Sequence, residues 1–593
     1  MFERCVSCHH PSGSAPFTLL AYEDVRKRAQ LIEAATQGRF MPPWQPEPGD
    51  SAFAGERRLT EQQIDTISRW VAQGAPEGNR ADLPPLPQLS DGWQLGEPDL
   101  VVAMSQPYAL QAEGTDVWRN FVIPIPVSEA RYVKTVELRP GTARFVHHAL
   151  MAVDETRSSR HRDDEDAELG FDGMDMGEAH MPEGSLLGWT PGMQPFPGIE
   201  GSAWRLRPGT DLVLQLHMVP SGKRELVNPV VGFHFAAASG VGAPTYAFML
   251  GADDVLDIPA GQRDFVVEDT MELPVDVEAL AVYPHAHYLG KTIAGSARLP
   301  DGSTRRLLQI GDWNFKWQDV YRYAQPLSLP KGTKVSMRWS FDNSAENVRN
   351  PSHPPKRVRA GQRSSDEMAH LQVQVRLRSF ADRLVLEEAY FRHLLGKNPH
   401  NARTLYGLAG ALKDQRRWAE AASQYRAALA IQPGHVSSHI NLGAVLMEQG
   451  QLSVAIRHFR EAVRVAPDSA GAHYNLGIAF GSKGQAAEAI RHYREAIRYG
   501  PDFGEAHNNL GQALGSLGQL GEAMPHLRAA VRLIPDSAET HNNLGTGLWF
   551  QGNAEEAISQ FRRALEIDPA HVSARENLNA ALKKAAPATR MRP

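Results

Sequence analysis

Cysteine is nearly absent from this 593-residue chain: only two occur, Cys5 and Cys8. No disulfide framework can therefore brace the domains that follow, and each must be held by its own apolar core. Long apolar runs are missing too, since none approaches the ~18 to 20 residues that a membrane-crossing helix needs. Nor does one sign of charge dominate: 62 Lys and Arg against 68 Asp and Glu leave a formal charge of −6. With no long basic block, neither nucleic acid nor a bulk membrane surface is the expected partner. At this length, ordinary domain sizes suggest about four units.

The two cysteines stand together in Cys5-Val6-Ser7-Cys8-His9. Cys-x-x-Cys-His is the attachment signature of haem c: two thiols bond to the vinyl groups and the histidine becomes the iron ligand. A zinc site would want two more soft ligands nearby, and a thioredoxin-like motif a βαβ frame; neither follows. Methionine commonly completes such an iron site. Met41 stands in the Pro-stiffened Gly38-Arg39-Phe40-Met41-Pro42-Pro43-Trp44, between a helical Tyr22 to Thr36 and a helical Thr60 to Ala72. The alternative for Met41 is a plain core methionine. Haem c is attached outside the bacterial cytoplasm, yet no export signal and only four residues precede Cys5. The expectation is an exported protein, periplasmic or extracellular, whose natural start lies upstream of Met1.

Residues 81–98 are Pro-rich and read as a linker. Beyond them come short β runs such as Asp99 to Ala103, Trp118 to Ile123 and Tyr132 to Leu138, punctuated by turn residues, a pattern that suits antiparallel sheets. In Tyr283-Pro284-His285-Ala286-His287-Tyr288-Leu289-Gly290-Lys291, two histidines one residue apart share a face of an extended strand. Downstream, Ser364-Ser365-Asp366-Glu367-Met368 offers a thioether; upstream lie His147-His148 and Leu212 to His217. Imidazole with thioether is a soft donor set that suits copper passing through Cu(I), unlike the carboxylate sites of Mg or Ca. Two candidate copper centres result, His285/His287/Met368 and His147/His148/His217. Adjacent histidines point to opposite faces of a regular strand, so His147 and His148 can share a metal only at a bend or strand end. For the His-x-His pair alone, a zinc site or a hydrogen-bonded surface pair stays open. The acidic insertion from Asp163 through Met174, Met176 and Met181 is read as a solvated loop, and His161, His180, His234, His353 and His370 are assigned no site.

The order His-His, Leu-Gln-Leu-His, His-Ala-His-Tyr-Leu-Gly-Lys, Ser-Asp-Glu-Met resembles the copper type II, ascorbate-dependent monooxygenases. Peptidylglycine α-hydroxylating and dopamine β-monooxygenase are the familiar members. The resemblance implies two antiparallel, jelly-roll-like β-sandwich domains, at 99–240 and 241–380, facing each other across a solvent-accessible gap. It assigns His147, His148 and His217 to an electron-supplying copper, and His285, His287 and Met368 to the copper where O2 reacts. The implied activity is hydroxylation of a C–H bond in an unknown organic or peptide substrate. The animal enzymes are disulfide-rich, and this chain departs from them there. The Met41 segment similarly resembles the Met-Pro-Pro-Trp stretch of bacterial cytochrome c domains fused to such copper domains. A fused haem c (1–80) suggests a relay from an external one-electron donor. The alternative is a non-enzymatic electron-transfer or copper-binding protein.

The rest repeats. Proline recurs at 399, 433, 467, 501, 535 and 569, the 34-residue period of tetratricopeptide repeats. Asn-Leu-Gly recurs from Asn441, Asn475, Asn509 and Asn543. Five repeats and a closing helix from about His571 make an α-solenoid at 399–593, joined through a helix at 381–398; its concave face suits a protein partner, and a spacer role is the alternative. The expected fold class is multidomain: a small all-α cytochrome, two β-sandwiches and an α-solenoid.

Overall fold

The computed structural model describes the whole chain except residues 1–3, 7, 11–14, 16, 50, 84, 86–91, 115, 142–144, 157, 192, 238–241 and 586–593. Most of the Pro-rich stretch from 84 to 91 thus lies outside the described residues. Two compact units emerge, one of Met1–Ile125, Arg131–Leu206 and Thr210–Tyr390, the other of Pro126–Ala130, Arg207–Gly209 and Phe391–Pro593.

The first unit is mostly β after a helical start. Helices Tyr22–Arg26, Ala29–Gln37 and Glu61–Ala72 surround Val6, Leu19 and Ile32. The single helix expected from Tyr22 to Thr36 is broken where Arg28 leaves helical geometry (φ −117, ψ 14). Thr60 and Gln63 form a capping box that starts the third helix, each satisfying the other's orphan amide.

A five-stranded antiparallel sheet runs in the order Phe171–Asp172, Val117–Pro124, Asp211–Met218, Val146–Asp154, Gly188–Trp189. Its central strand, Asp-Leu-Val-Leu-Gln-Leu-His-Met, is buried along its whole length, the polar Asp211, Gln215 and His217 included. A four-stranded sheet (Leu100–Ala103, Val230–Ala236, Arg131–Arg139, Trp204–Leu206) accompanies it. Two further four-stranded antiparallel sheets follow. One comprises Thr245–Gly251, His370–Leu377, Val277–His285 and Tyr321–Leu329, the other Phe265–Glu272, Lys334–Phe341, Gly290–Arg298 and Thr304–Ile310. They share one core, with Phe248, Leu371 and Val373 from the first and Ile293, Trp339 and Phe341 from the second.

The acidic insertion is more structured than a solvated loop. Buried Asp154 accepts the Thr156 and Ser159 amides and so starts helix Ser158–Glu165, while Arg160 pairs with buried Asp211 at 2.6 Å. Arg119 donates to Asp166, the Leu169 carbonyl and the Gly170 carbonyl. Each buried charge needs a partner, and the insertion supplies it.

Most of the second unit is an array of helix pairs. Helix pairs start with Ala402–Asp414 and Trp418–Ile431 and recur to Ala538–Phe550 and Ala554–Ile567, closed by Val572–Ala585. The glycine of Asn-Leu-Gly has a packing reason: a Cβ on Gly443, Gly477, Gly511 or Gly545 would meet the side chain of Phe459, Tyr493, Leu527 or Phe561 at 2.4 to 2.7 Å. Where the helices of a pair turn, Gly450, Gly484, Gly518 and Gly552 take positive φ, and the first repeat puts Arg416 there instead, at φ 58.

The second, third and fourth repeats each also carry a partly buried imidazole pair. Nδ1 of His439, His473 and His507 meets Nδ1 of His458, His492 and His526 at 3.1, 3.1 and 2.9 Å. In the last repeat Gln560 replaces the second histidine, against His541. Nε2 of each first histidine donates to the carbonyl of Pro433, Pro467, Pro501 or Pro535. With that proton fixed, its Nδ1 can accept from the partner ring. Burial and nearby positive groups push His458 and His492 down to about 4. The unfolded chain takes up these protons near pH 6.5 while the folded array refuses them until about 4. Stability is therefore full above that range and lost as the pH falls through it. We expect helical circular dichroism of the full chain to report a loss on the order of 1 kcal/mol per pair, discounted for half-exposed rings. Replacing His458 and His492 by Gln, as nature does at Gln560, should flatten the dependence; an unchanged pH profile would refute the assignment.

Candidate metal centres

His147, His148 and His217 lie together, their donor atoms all within 4.8 Å of one another. The obstacle of adjacent histidines is removed by a β-bulge. Val146 pairs with Met218 and His148 with His217, with the register shift between Val146 and His148 leaving His147 as the extra residue. A bulge re-aims one side chain, and Nδ1 of His147 comes within 3.1 Å of Nδ1 of His148. His217 donates from Nε2 to Asp116 at 3.0 Å, while its Nδ1 is buried with no partner among the described residues. Trp118 stacks on His217 at 4.2 Å and meets His148 edge-on at 4.9 Å. Burial pushes the His147 imidazole down to about 4 and that of His148 well below its usual value. Neutral, desolvated imidazoles with one nitrogen left open fit a soft or borderline metal ion.

His285 ends the Val277–His285 strand, and His287 lies just beyond it rather than on a regular strand as the alternation implied. The cause is Glu367, fully buried, whose carboxylate accepts the amides of His287, Leu289 and Met368 and so turns the chain out of the ladder. The two rings still meet, 5.1 Å apart and perpendicular. His287 donates from Nδ1 to the Asp366 carbonyl at 3.0 Å, and His285 Nδ1 faces Gln318 Oε1. Both therefore keep Nε2 for a ligand, and Met368 follows Glu367 directly on the segment that holds them. His370, paired across the sheet with His285, is engaged by Asp253 at 2.7 Å. Burial lowers both ligand imidazoles, and it pushes the Glu367 carboxyl up to about 8.

One ring touches both sets. Phe315, 4 % exposed, stacks on His147 at 4.9 Å and meets His287 edge-on at 5.3 Å. Where the resemblance implies a solvent-accessible gap, a buried phenyl ring lies between these two histidines. Asp116, which orients His217, also accepts from Ser364 at 3.1 Å on the segment leading to Met368.

At the N-terminus Cys5, Cys8 and His9 form one turn, with the Cys8 and His9 amides donating to the Cys5 carbonyl. His9, 8 % exposed, donates from Nδ1 to the Phe17 carbonyl at 3.0 Å. That leaves Nε2 open, as an iron-binding imidazole requires, so the residues fit a haem c. Met41 follows helix Ala29–Gln37, its amide donating to the Ala35 carbonyl.

Asp116, Gln318 and Phe315 were not singled out from sequence. Each is remote in the chain from the histidine it touches, and no local spacing marks it. Glu367 lies inside the Ser-Asp-Glu-Met motif, but its role depends on burial that a motif does not display.

Comparison with known proteins bears on the C-terminal part. Residues 435–499 and 502–570 match one tetratricopeptide repeat family model, and 387–436 match another. No curated protein matches the chain. Among solved structures, YrrB, a TPR protein with an unusual peptide-binding site, is 22% identical over 32% of this chain and 97% of its own, with a TM-score of 0.27. A thermophilic TPR protein of Thermus thermophilus is 22% identical over 31% and 100%, TM-score 0.27. The Pseudomonas aeruginosa pilF protein is 17% identical over 34% and 91%, TM-score 0.32.

Glu367→Ala strips the acceptor from three buried amides and should lower stability by on the order of 3 kcal/mol in urea unfolding, with Glu367→Gln recovering part. An unchanged midpoint would show that the carboxylate does not hold the turn.

Proposed function

We propose that residues 99–380 form a copper monooxygenase of two β-sandwich domains, 99–240 and 241–380. Copper sits at His147/His148/His217 and at His285/His287/Met368. Residues 1–80 form a c-type cytochrome holding haem on Cys5, Cys8 and His9, with Met41 as the further iron ligand. The observation that carries this reading is the unpartnered, buried Nδ1 of His217 facing two more imidazoles at a β-bulge. Such a nitrogen is costly unless something takes its lone pair.

Copper at these donors would supply O2 with two single electrons, the number needed beyond those of the substrate C–H bond to insert one oxygen atom and reduce the other to water. The chain's own part is orientation and exclusion. Asp116, Gln318 and the Asp366 carbonyl each fix one histidine nitrogen, so that the other faces the metal. Burial disfavours the charged form of His147, His148, His285 and His287, and the Met368 thioether favours the reduced ion. Phe315 and Trp118 cover the histidines and keep water off them. A haem c would pass single electrons inward from an external donor, which places the protein outside the cytoplasm. The repeats bind a protein partner.

The second reading, a non-enzymatic electron-transfer or copper-binding protein, draws on the repeat array, the part that family models match. Oxygen uptake by the copper-loaded full chain with a one-electron reductant separates the two. The monooxygenase reading expects uptake that depends on an organic substrate or peptide, one 18O atom per product from 18O2, and at least a tenfold loss in Met368→Ala. Uptake indifferent to every substrate, with no labelled product, would favour the second reading. Among the described residues no helix is long and apolar enough to cross a membrane.

A further inference from the structure

The segment after Met41 does not hang free of the sheets. Ala54 donates to the Arg322 carbonyl and Ala324 to the Ala52 carbonyl, both at 2.8 Å, so the chain adds to the edge of the Tyr321–Leu329 strand. Glu47 donates to the Gln309 carbonyl at 2.7 Å, and Trp44 and Phe53 pack edge-on and tilted against Tyr321. The mostly buried pair Arg57 and Asp319 closes this contact at 2.8 Å.

These contacts converge on one short turn, Asn314 to Asp319. Gln45 grips it at both ends, donating to the Trp317 carbonyl at 2.7 Å and accepting from the Asn314 amide at 2.5 Å. Phe40, the neighbour of Met41, meets Trp317 edge-on with ring centroids 5.6 Å apart. Two residues earlier on the same 3-10 turn, Phe315 touches His147 and His287, and one residue later Gln318 faces His285. Trp317 Nε1 is buried with no partner among the described residues. Hydrogen bonding is therefore not what calls for an indole at this place; its ring is.

We propose that the Asn314 to Asp319 turn is the electron relay between the cytochrome part and both copper sites, entered at Trp317 from Phe40 and left at Phe315 toward His147 and His287. This rests on the proposed function. One electron leaves ferrous haem, which becomes ferric, and reduces one Cu(II) to Cu(I). No proton moves, and the rings serve as the medium for tunnelling without being oxidised. Electron transfer falls steeply with distance through empty or saturated space; the Phe40–Trp317 contact and the contacts of Phe315 with His147 and His287 shorten the outer jumps, and the two-residue turn carries the step between them. Gln45 is a positioning residue that holds the turn against the segment.

The test uses the full chain carrying haem c and Cu(II), with haem and copper content measured on every variant. Dithionite below one electron per chain is mixed in by stopped flow, and the ferrous haem band is followed as it decays. Wild type should pass the electron on, and the copper-free chain should keep it. Trp317→Leu and Phe315→Leu should slow the decay several-fold with metal and haem content unchanged, and Trp317→Phe, which restores a ring, should recover most of the rate. Decay at the wild-type rate in both Leu variants overturns the relay while leaving the proposed function standing. Absence of decay in fully loaded wild type overturns the proposed function itself.

Discussion

A buried imidazole has two nitrogens, and each must be accounted for. In this protein one nitrogen of several histidines is fixed by a specific acceptor: Asp116 for His217, the Asp366 carbonyl for His287, the Phe17 carbonyl for His9, and a proline carbonyl for each of His439, His473, His507 and His541. The difference lies in the second nitrogen. In the repeats it is closed against another ring or Gln560, and the result is an internal hydrogen bond. At His217 it is left open beside two more imidazoles. One rule thus gives closed structural pairs in one unit and, in the other, a set of histidines that could hold a metal ion.

Much of the architecture could be read from the residues. The 34-residue proline period predicted the helix pairs and the closing helix, because each repeat buries its face only against the next. Strands around Trp118 and Tyr132 form where short β runs and turn residues placed them. The bulge that His147 and His148 require is present, although nothing local in Val146-His147-His148 announces it. What stayed hidden depends on contacts far apart in sequence. Asp116 reaches His217 across 101 residues, Glu367 reaches His287 across 80, and Gln45 reaches Trp317 across 272. The ordering of the acidic insertion by Arg119 was likewise set by a partner far off in sequence rather than by propensity.

The same long-range contacts make the first unit more interdependent than a row of separate domains. Phe315 touches histidines of both sets, Asp116 orients His217 while holding Ser364, and the segment after Met41 adds to a sheet edge. A change in the N-terminal segment is therefore felt at the turn beside His285 and His287.

The measurement that bears most directly on this account is copper analysis with X-ray absorption of the full chain, wild type beside His217→Ala and Met368→Ala. Two coppers per chain are expected, with nitrogen and a sulfur scatterer in the reduced protein. His217→Ala should lose about one copper and keep the sulfur, and Met368→Ala should lose the sulfur signal. A single metal, or none, indifferent to both substitutions would contradict the reading of these histidines as copper ligands.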